Sequence, residues 1–202
     1  MSNMPGSLPV FPLSGALLLP GGCLPLNIFE PRYLAMVEDA MAGNKLIGMI
    51  KPKAELMPCG TPHVEQIGCA GEITECEQTP DGRYLILLSG RSRFKVCDEM
   101  GSLRGYRRMK VEWLPESEAP FTVNRKRLMP ALKHYLHDRG LNCDFAAAAN
   151  CPDDKLITSL AMICPFTPVE QQALLEAPDM AVRSELLTTL LEISCPDCAH
   201  KH

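Results

Sequence analysis

The chain has 202 residues, 46% hydrophobic and 22% charged, a balance that suits one large core or two small ones and excludes wholesale disorder. Its formal charge is -4 and aromatics make up only 5%, so neither a basic footprint nor a base-stacking platform points to nucleic acid. The ten cysteines stand mostly alone within apolar stretches, as at Cys69, Cys97 and Cys164, and read as reduced thiols acting as small hydrophobes in a cytosolic protein.

No charged side chain precedes Glu30, and Ala16-Leu17-Leu18-Leu19 imitates the apolar segment of a secretory signal. A signal needs a positive region before it, and none is present. Pro9, Pro12, Pro20, Gly21, Gly22 and Pro25 also interrupt the roughly 20 apolar residues that a membrane span requires. The expectation is a pair of buried strands separated by a Pro-Gly turn, in a cytoplasmic protein without membrane contact.

The dominant period is two before the segment Pro115 to Pro120 and closer to 3.6 after it, so the expected parts are a β-rich unit over residues 1–118, a helical bundle over 119–195 and a tail over 196–202. The run Leu8-Pro9-Val10-Phe11-Pro12-Leu13 predicts an extended segment whose prolines favour an edge. Glu30-Pro31-Arg32-Tyr33 predicts a helix start, because proline lacks only an N–H that has no intrahelical acceptor there. Leu34, Val37 and Met41 would form its apolar stripe and Gly43 a left-handed stop. Leu46 to Ile50 is a strand candidate. Ile67, Cys69, Gly71 and Ile73 alternate with polar residues, Pro80-Asp81-Gly82-Arg83 signals a turn, and Tyr84 to Leu88 continues as a strand. Phe94 and Val96 alternate with Arg93 and Lys95; Met109, Val111 and Trp113 alternate with Lys110 and Glu112. These short strands with one helix predict a twisted antiparallel sheet closing toward a barrel.

The second half reads as helices. Leu128, Leu132, Tyr135 and Leu136 make a stripe ending near Gly140, with Pro130 in the opening turn or bending the helix. Ala146 to Ala149 is a helix or a helical connection. Leu156, Leu160 and Ile163 make the next stripe, Thr167-Pro168-Val169-Glu170 is a capping box, and Val182, Leu186, Leu190 and Ile193 mark a last helix.

Beyond single elements, an ordered series of short motifs runs through the chain: Leu8 to Leu13, Leu19-Pro20-Gly21, Leu24-Pro25-Leu26, Ile28-Phe29-Glu30-Pro31-Arg32-Tyr33, Pro80 to Arg83, Gly90, Arg93-Phe94-Lys95-Val96, Pro168 to Glu176 and Arg183. This series resembles the N-terminal substrate-binding domain of Lon proteases. The resemblance implies an α+β fold: an N-terminal β-rich PUA-like pseudo-barrel with one helix, followed by a C-terminal α-helical bundle. It also implies contact with unfolded polypeptides. The sequence has no Gly-x-x-x-x-Gly-Lys-[Ser/Thr] loop, and the form implied is a standalone one without ATPase or peptidase.

Candidate sites follow from chemistry. Phe29, Glu30 and Arg32 at the helix start make a candidate partner-binding corner, although Glu30 also suits the positive helix end and Arg32 a local pair. Arg83, Arg91, Arg93, Lys95, Arg104, Arg107 and Arg108 form a basic stretch, with Arg91 and Arg93 added as tentative contacts; strand alternation makes most of these a solvated face. Cys195, Cys198, His200 and His202 have soft-ligand chemistry for zinc, but a structural site normally braces its second ligand pair farther away. His63, His134 and His137 lie near no recognisable nucleophile turn. Met36, Met41, Met49 and Met57 would suit an adaptable groove, or a core. The function expected is non-catalytic binding of unfolded or exposed apolar polypeptide segments, with no catalytic residue and no cofactor. The alternatives are a PUA-like RNA-binding module and a small ligand-binding enzyme.

Overall fold

The computed structural model describes residues 4–56, 62–117 and 120–193. Among these, the first half forms the strands β1 (Ser7–Pro12), β2 (Cys23–Ile28), β3 (Leu46–Ile50), β4 (Pro52–Leu56), β5 (Pro62–Val64), β6 (Ile67–Gln78), β7 (Tyr84–Leu103) and β8 (Tyr106–Leu114). Helix α1 (Pro31–Ala42) lies between β2 and β3. The second half forms α2 (Arg125–Asp138), α3 (Phe145–Asn150), α4 (Asp153–Ile163), α5 (Pro168–Glu176) and α6 (Met180–Ile193). The architecture is α+β, in two compact units, Met1–Pro115 and Glu116–His202. No helix among the described residues is long and apolar enough to cross a membrane.

In the first unit the sheet runs β2-β7-β6-β3-β1-β8, and β8 pairs again with β7. Strands β7, β6, β3, β1 and β8 therefore close into a ring, with β2 attached to β7. What reads as two separate strands, Tyr84 to Leu88 and Phe94 to Val96, is the single strand β7: it pairs with β2 through Cys23↔Ser89, with β6 through Gln78↔Tyr84, and with β8 through Val96↔Val111. The sheet is mixed rather than antiparallel, because β1 and β3 are parallel. A parallel pair needs a crossover between its strands, and β2 with α1 supplies one. The apolar core of the ring is built from Leu8, Val10, Leu46, Ile50, Ala70, Phe94, Met109 and Val111.

The prolines of β1 do not place it at an edge, since it pairs with both β3 and β8. The reason lies in the register. Pairing with β3 covers Val10 to Pro12, and pairing with β8 covers Ser7 to Val10. The Leu13 N–H donates to the Ile50 carbonyl, so odd-numbered positions face β3 and even-numbered ones face β8. Pro9 thus faces β3 before that pairing begins, and Pro12 faces β8 after that pairing has ended. Each missing N–H falls where no partner strand stands.

Leu17, Leu18 and Leu19 are buried but form no strand. They belong to an irregular segment pinned to β7: Gly21 N–H donates to the Gly90 carbonyl at 2.9 Å and Gly90 N–H donates to Gly22 at 2.8 Å. A Cβ at Gly90 would meet the Leu19 carbonyl oxygen at 2.0 Å. Only a residue without a side chain allows that approach. The Lys51 ammonium, nearly buried, donates to the carbonyls of Ser14 and Ala16 and holds the far end of the segment.

Helix α1 starts where expected but buries a different face. Tyr33, Met36, Val37 and Ala40 point inward, while Met41 is exposed. Gly43 has φ of −112, and the left-handed turn falls instead on Lys45 with φ of 60. The expected turn at Gly82 is present, with φ of 83.

In the second unit α6 packs against α2, α4 and α5. The stripe expected on α2 is the buried one, and Pro130 lies inside that helix. Residues 145–150 are helical. The capping box of α5 is formed: Glu170 N–H donates to Thr167 Oγ1, and Thr167 N–H donates to the Glu170 carboxylate at 2.7 Å. Two stripes differ. Ile163 is exposed at the end of α4, and α6 buries Arg183, Ser184, Leu187, Thr188 and Leu191 while Val182 and Ile193 are exposed. The guanidinium of Arg183, fully buried, explains the rotation of α6. It donates to the Leu174 carbonyl at 3.0 Å, to Ala177, and to the Glu116 carboxylate at 2.6 Å. It thereby satisfies backbone acceptors that α5 leaves open at its C-terminal end.

Two stability changes follow. Arg183→Met should cost about 3 kcal/mol by leaving these acceptors buried without a donor, and Gly90→Ala about 2 kcal/mol by forcing the Leu19 carbonyl away; urea denaturation of each variant measures both.

Candidate functional site

The corner expected at Phe29, Glu30 and Arg32 forms where β2 runs into α1. Phe29 is 65% exposed, unusual for a phenylalanine on a short, hydrogen-bonded connection. Glu30 is the N-cap of α1 by position, with extended backbone, but its side chain makes no capping bond. It accepts instead from Arg32 Nε at 3.0 Å and Nη2 at 2.9 Å, with both side chains about half exposed. The same guanidinium lies 4.5 Å from the centre of the Tyr33 ring, and that ring packs on Phe11 at 4.3 Å between centroids. An exposed pair of this kind contributes about 0–1 kcal/mol and is readily exchanged for another carboxylate.

Beside the corner is a pocket of about 140 Å³, lined by Pro12, Arg32, Tyr33, Pro52, Pro62, Gly105, Tyr106 and Arg107. It is assembled from four places in the first unit: the end of β1, the start of α1, the first residues of the paired strands β4 and β5, and the tip of the β7–β8 hairpin. That last tip is a two-residue turn, Arg104-Gly105, with φ of 48 and 90 and Leu103 opposite Tyr106. Positive φ at both central residues suits the twist of a hairpin. Gly105 also lets the turn approach α1, since a Cβ there would meet Arg32 Cβ at 3.2 Å. The turn is clamped to the helix by Arg104, which donates at 2.7 Å to Glu38 and to Asp39, and by the Tyr106 hydroxyl, which donates to Asp39 at 2.8 Å.

The electrostatics follow from these contacts. The hydrogen bond from Tyr106, helped by Arg104, holds the Asp39 carboxyl below its ordinary 3.8. Burial, then the bond to Asp39, pushes the Tyr106 phenol up to about 12. Burial also raises the Tyr33 phenol, opposed by the charges of Arg32 and Arg107. Arg107 is held by Glu99 through two bonds of 2.7 Å and donates to the Pro62 carbonyl at 2.9 Å.

The other expected positions fall elsewhere. Arg91 is exposed and paired with Glu72, and it is the extra residue of a bulge in which Gly71 faces Gly90 and Ala70 faces Ser92. Arg93 is not on a solvated face: it is 4% exposed, and its neighbour Phe94 is fully buried. Consecutive strand residues point to opposite faces, so both faces of β7 are covered here and alternation no longer reports exposure. Nor does Arg91 join the corner. Cys23 pairs with Ser89 and Ile28 with Tyr84, so Phe29 and Arg91 lie beyond opposite ends of the β2–β7 ladder, roughly 25 Å apart along the strands. The basic stretch is largely matched by local acids, with Arg83 on Asp81, Arg104 on Glu38 and Asp39, and Arg107 on Glu99.

Met36 and Met49 are core residues and Met57 lies outside the described residues. Cys69 and Cys164 are buried, whereas Cys97 is exposed. His63, His134 and His137 are exposed, and His137 Nδ1 lies 3.6 Å from Asp138. The pattern of Cys195, Cys198, His200 and His202 lies outside the described residues; among those described, no group of three or more His, Cys, Asp or Glu side chains is placed to hold a metal ion. Sequence reading missed the pocket itself. Its walls are prolines and tyrosines from four separated segments, and only the φ demands of Arg104-Gly105 leave a local trace.

A family model described as the ATP-dependent protease La (LON) substrate-binding domain matches residues 7–192. The chain belongs to the LON substrate-binding domain family. Lon protease 2 of Myxococcus xanthus is 25% identical over 197 residues, which is 94% of this chain and 24% of that protein. The Lon protease of Flavobacterium johnsoniae is 29% identical over 56% of this chain and 14% of its own length. The chain thus spans a quarter or less of these two proteins. Protein cereblon of Danio rerio is 28% identical over 62% of this chain and 30% of cereblon. A solved structure, the Lon N-terminal domain protein from Xanthomonas campestris, superposes with a TM-score of 0.66 and 25% identity, covering 91% of this chain and 97% of that one. The N-terminal domain of a Mycobacterium avium complex Lon protease shares the fold, with a TM-score of 0.63 at 16% identity. Three positions in the ordered series that carried the resemblance have a physical role in this chain: Gly90 admits the Leu19 carbonyl, Phe94 fills the ring and Arg183 caps α5.

The Asp39 contacts predict a pH effect. Because its folded pKa is depressed, its stabilising contribution is present above about 4, the unfolded value, and is lost as pH falls through the folded pKa. Tyr106→Phe removes the leading cause, so carboxyl NMR titration should show Asp39 moving up toward 3.8, and acid unfolding should begin at higher pH.

Proposed function

We propose that this chain is a non-catalytic, cytoplasmic module that binds unfolded or exposed apolar polypeptide segments through the corner at Phe29, Glu30 and Arg32. The observation that carries this reading is the exposure of Phe29, held at 65% on the junction of a paired strand and a proline-started helix. An aromatic on a rigid support loses little entropy on binding and has the character of a binding hot spot. Membership in a substrate-binding domain family supports polypeptide as the partner and binding rather than chemistry as the task. Around Phe29, the exchangeable Glu30–Arg32 pair forms a polar rim. Arg91, on its bulge, serves a more distant part of an extended polypeptide, and Arg93 supports β7 from within.

The test is fluorescence anisotropy with a reduced, carboxymethylated protein as the unfolded ligand. Saturable binding is expected, with Phe29→Ser weakening it about tenfold or more while the melting temperature stays unchanged. Absence of binding by the wild-type chain, or equal affinity of the variant, sinks the reading.

A further inference from the structure

The pocket that Arg32 lines has a chemistry of its own. Its walls include the rings of Pro12, Pro52 and Pro62, and its volume of about 140 Å³ is close to that of a cavity able to hold a benzene molecule, roughly 150 Å³. One leucine or phenylalanine side chain fills such a space; a longer ligand does not. The polar side chains that line it are those of Arg32, Tyr33, Tyr106 and Arg107, and the Tyr106 hydroxyl is already committed to Asp39. The Tyr33 ring is buried and lines the pocket, and its hydroxyl makes no hydrogen bond with any described residue. Arg32 lies over that ring and Arg107 lines the pocket with it. The charges of both act on the Tyr33 phenol.

These groups share one property. A phenol O–H and guanidinium N–H groups are all donors, so a pocket with apolar walls offers its donors to an acceptor held next to an apolar group. A charged acceptor gains most, because bonds from guanidinium to carboxylate are about twice as strong as neutral ones. Arg32 is available for it: its present partner Glu30 is half exposed and forms a weak pair. Arg107, anchored by Glu99 and Pro62, keeps its place and contributes field rather than a new bond.

From this we infer that the pocket receives the C-terminal residue of a bound polypeptide, with its apolar side chain between the prolines and its free α-carboxylate on Arg32 and the Tyr33 hydroxyl. This assignment rests on the polypeptide-binding reading and makes it specific: chain ends with a large apolar last residue are selected, and the preceding residues run past Phe29.

The experiment uses the full chain and a fluorescein-labelled Gly-Ser octapeptide ending in leucine, as free acid and as C-terminal amide, in an anisotropy titration. The free acid is expected to bind about tenfold or more tightly than the amide. Tyr33→Phe, which keeps the ring and removes only the hydroxyl, and Arg32→Gln should each erase most of that difference without altering the melting temperature. Replacing the last leucine by glycine should weaken the free acid to a similar degree. Equal binding of acid and amide overturns the inference, as does a preference for the acid that survives both variants. N-acetyl-leucine displacing the peptide at equal concentration overturns the assignment to a polypeptide end, because the flanking residues would then contribute nothing. If the carboxymethylated unfolded protein still binds in a Phe29-dependent way while the octapeptides fail, this inference falls and the broader reading stands; failure of both ligands removes both.

Discussion

The approach of the Leu19 carbonyl to Gly90 is the contact on which the first unit turns. It occurs at the bulge of β7, between the stretch that pairs with β2 and the stretch that pairs with β8. Without that approach, the segment Leu17 to Leu19 would have no seat and three leucines would lose their burial, each about 1.5–3 kcal/mol of hydrophobic stabilisation. The bulge also increases the local twist, which a strand must do to leave one neighbour and reach another across a small ring. Position of the corner follows from this, because among the described residues β7 is the one strand that pairs with β2, and α1 leaves directly from the end of β2.

Much of this was legible in the sequence where the signal is local. The turn at Gly82, the start of α1 at Pro31, the strand Leu46–Ile50 and the capping box at Thr167 each rest on residues within four positions of one another. Helix faces were less legible. In Val182 to Ile193, apolar residues at helical spacing define two stripes, one through Leu186 and Leu190 and one through Leu187 and Leu191, and periodicity cannot choose between them. The choice is made by Arg183, whose long side chain reaches carbonyls of α5. The same limit applies to β1. A count of prolines suggests an edge, and only the register with β3 and β8 reveals that each proline meets a gap.

The candidate site divides in the same way. Phe29, Glu30, Pro31 and Arg32 stand together in sequence, and their clustering at a corner follows from the helix start. The pocket needs Pro12, Arg32, Pro52, Pro62 and Gly105 to meet, and their separation along the chain hides it from any motif. Arg93 shows the opposite case, a residue with a clear strand pattern whose burial depends on what covers the second face of the sheet.

The placement of β1 also governs when the ring can form. Ser7 is opposite Lys110, and the same short strand is flanked on its other side by β3. During synthesis the ribosome must therefore release about a hundred further residues before β1 acquires its second neighbour. Until then β3, β6 and β7 form an open sheet with an unprotected margin, a slow and association-prone stage typical of topologies with distant strand partners. Chaperone dependence of the nascent chain should be concentrated in that interval and should end as β8 emerges.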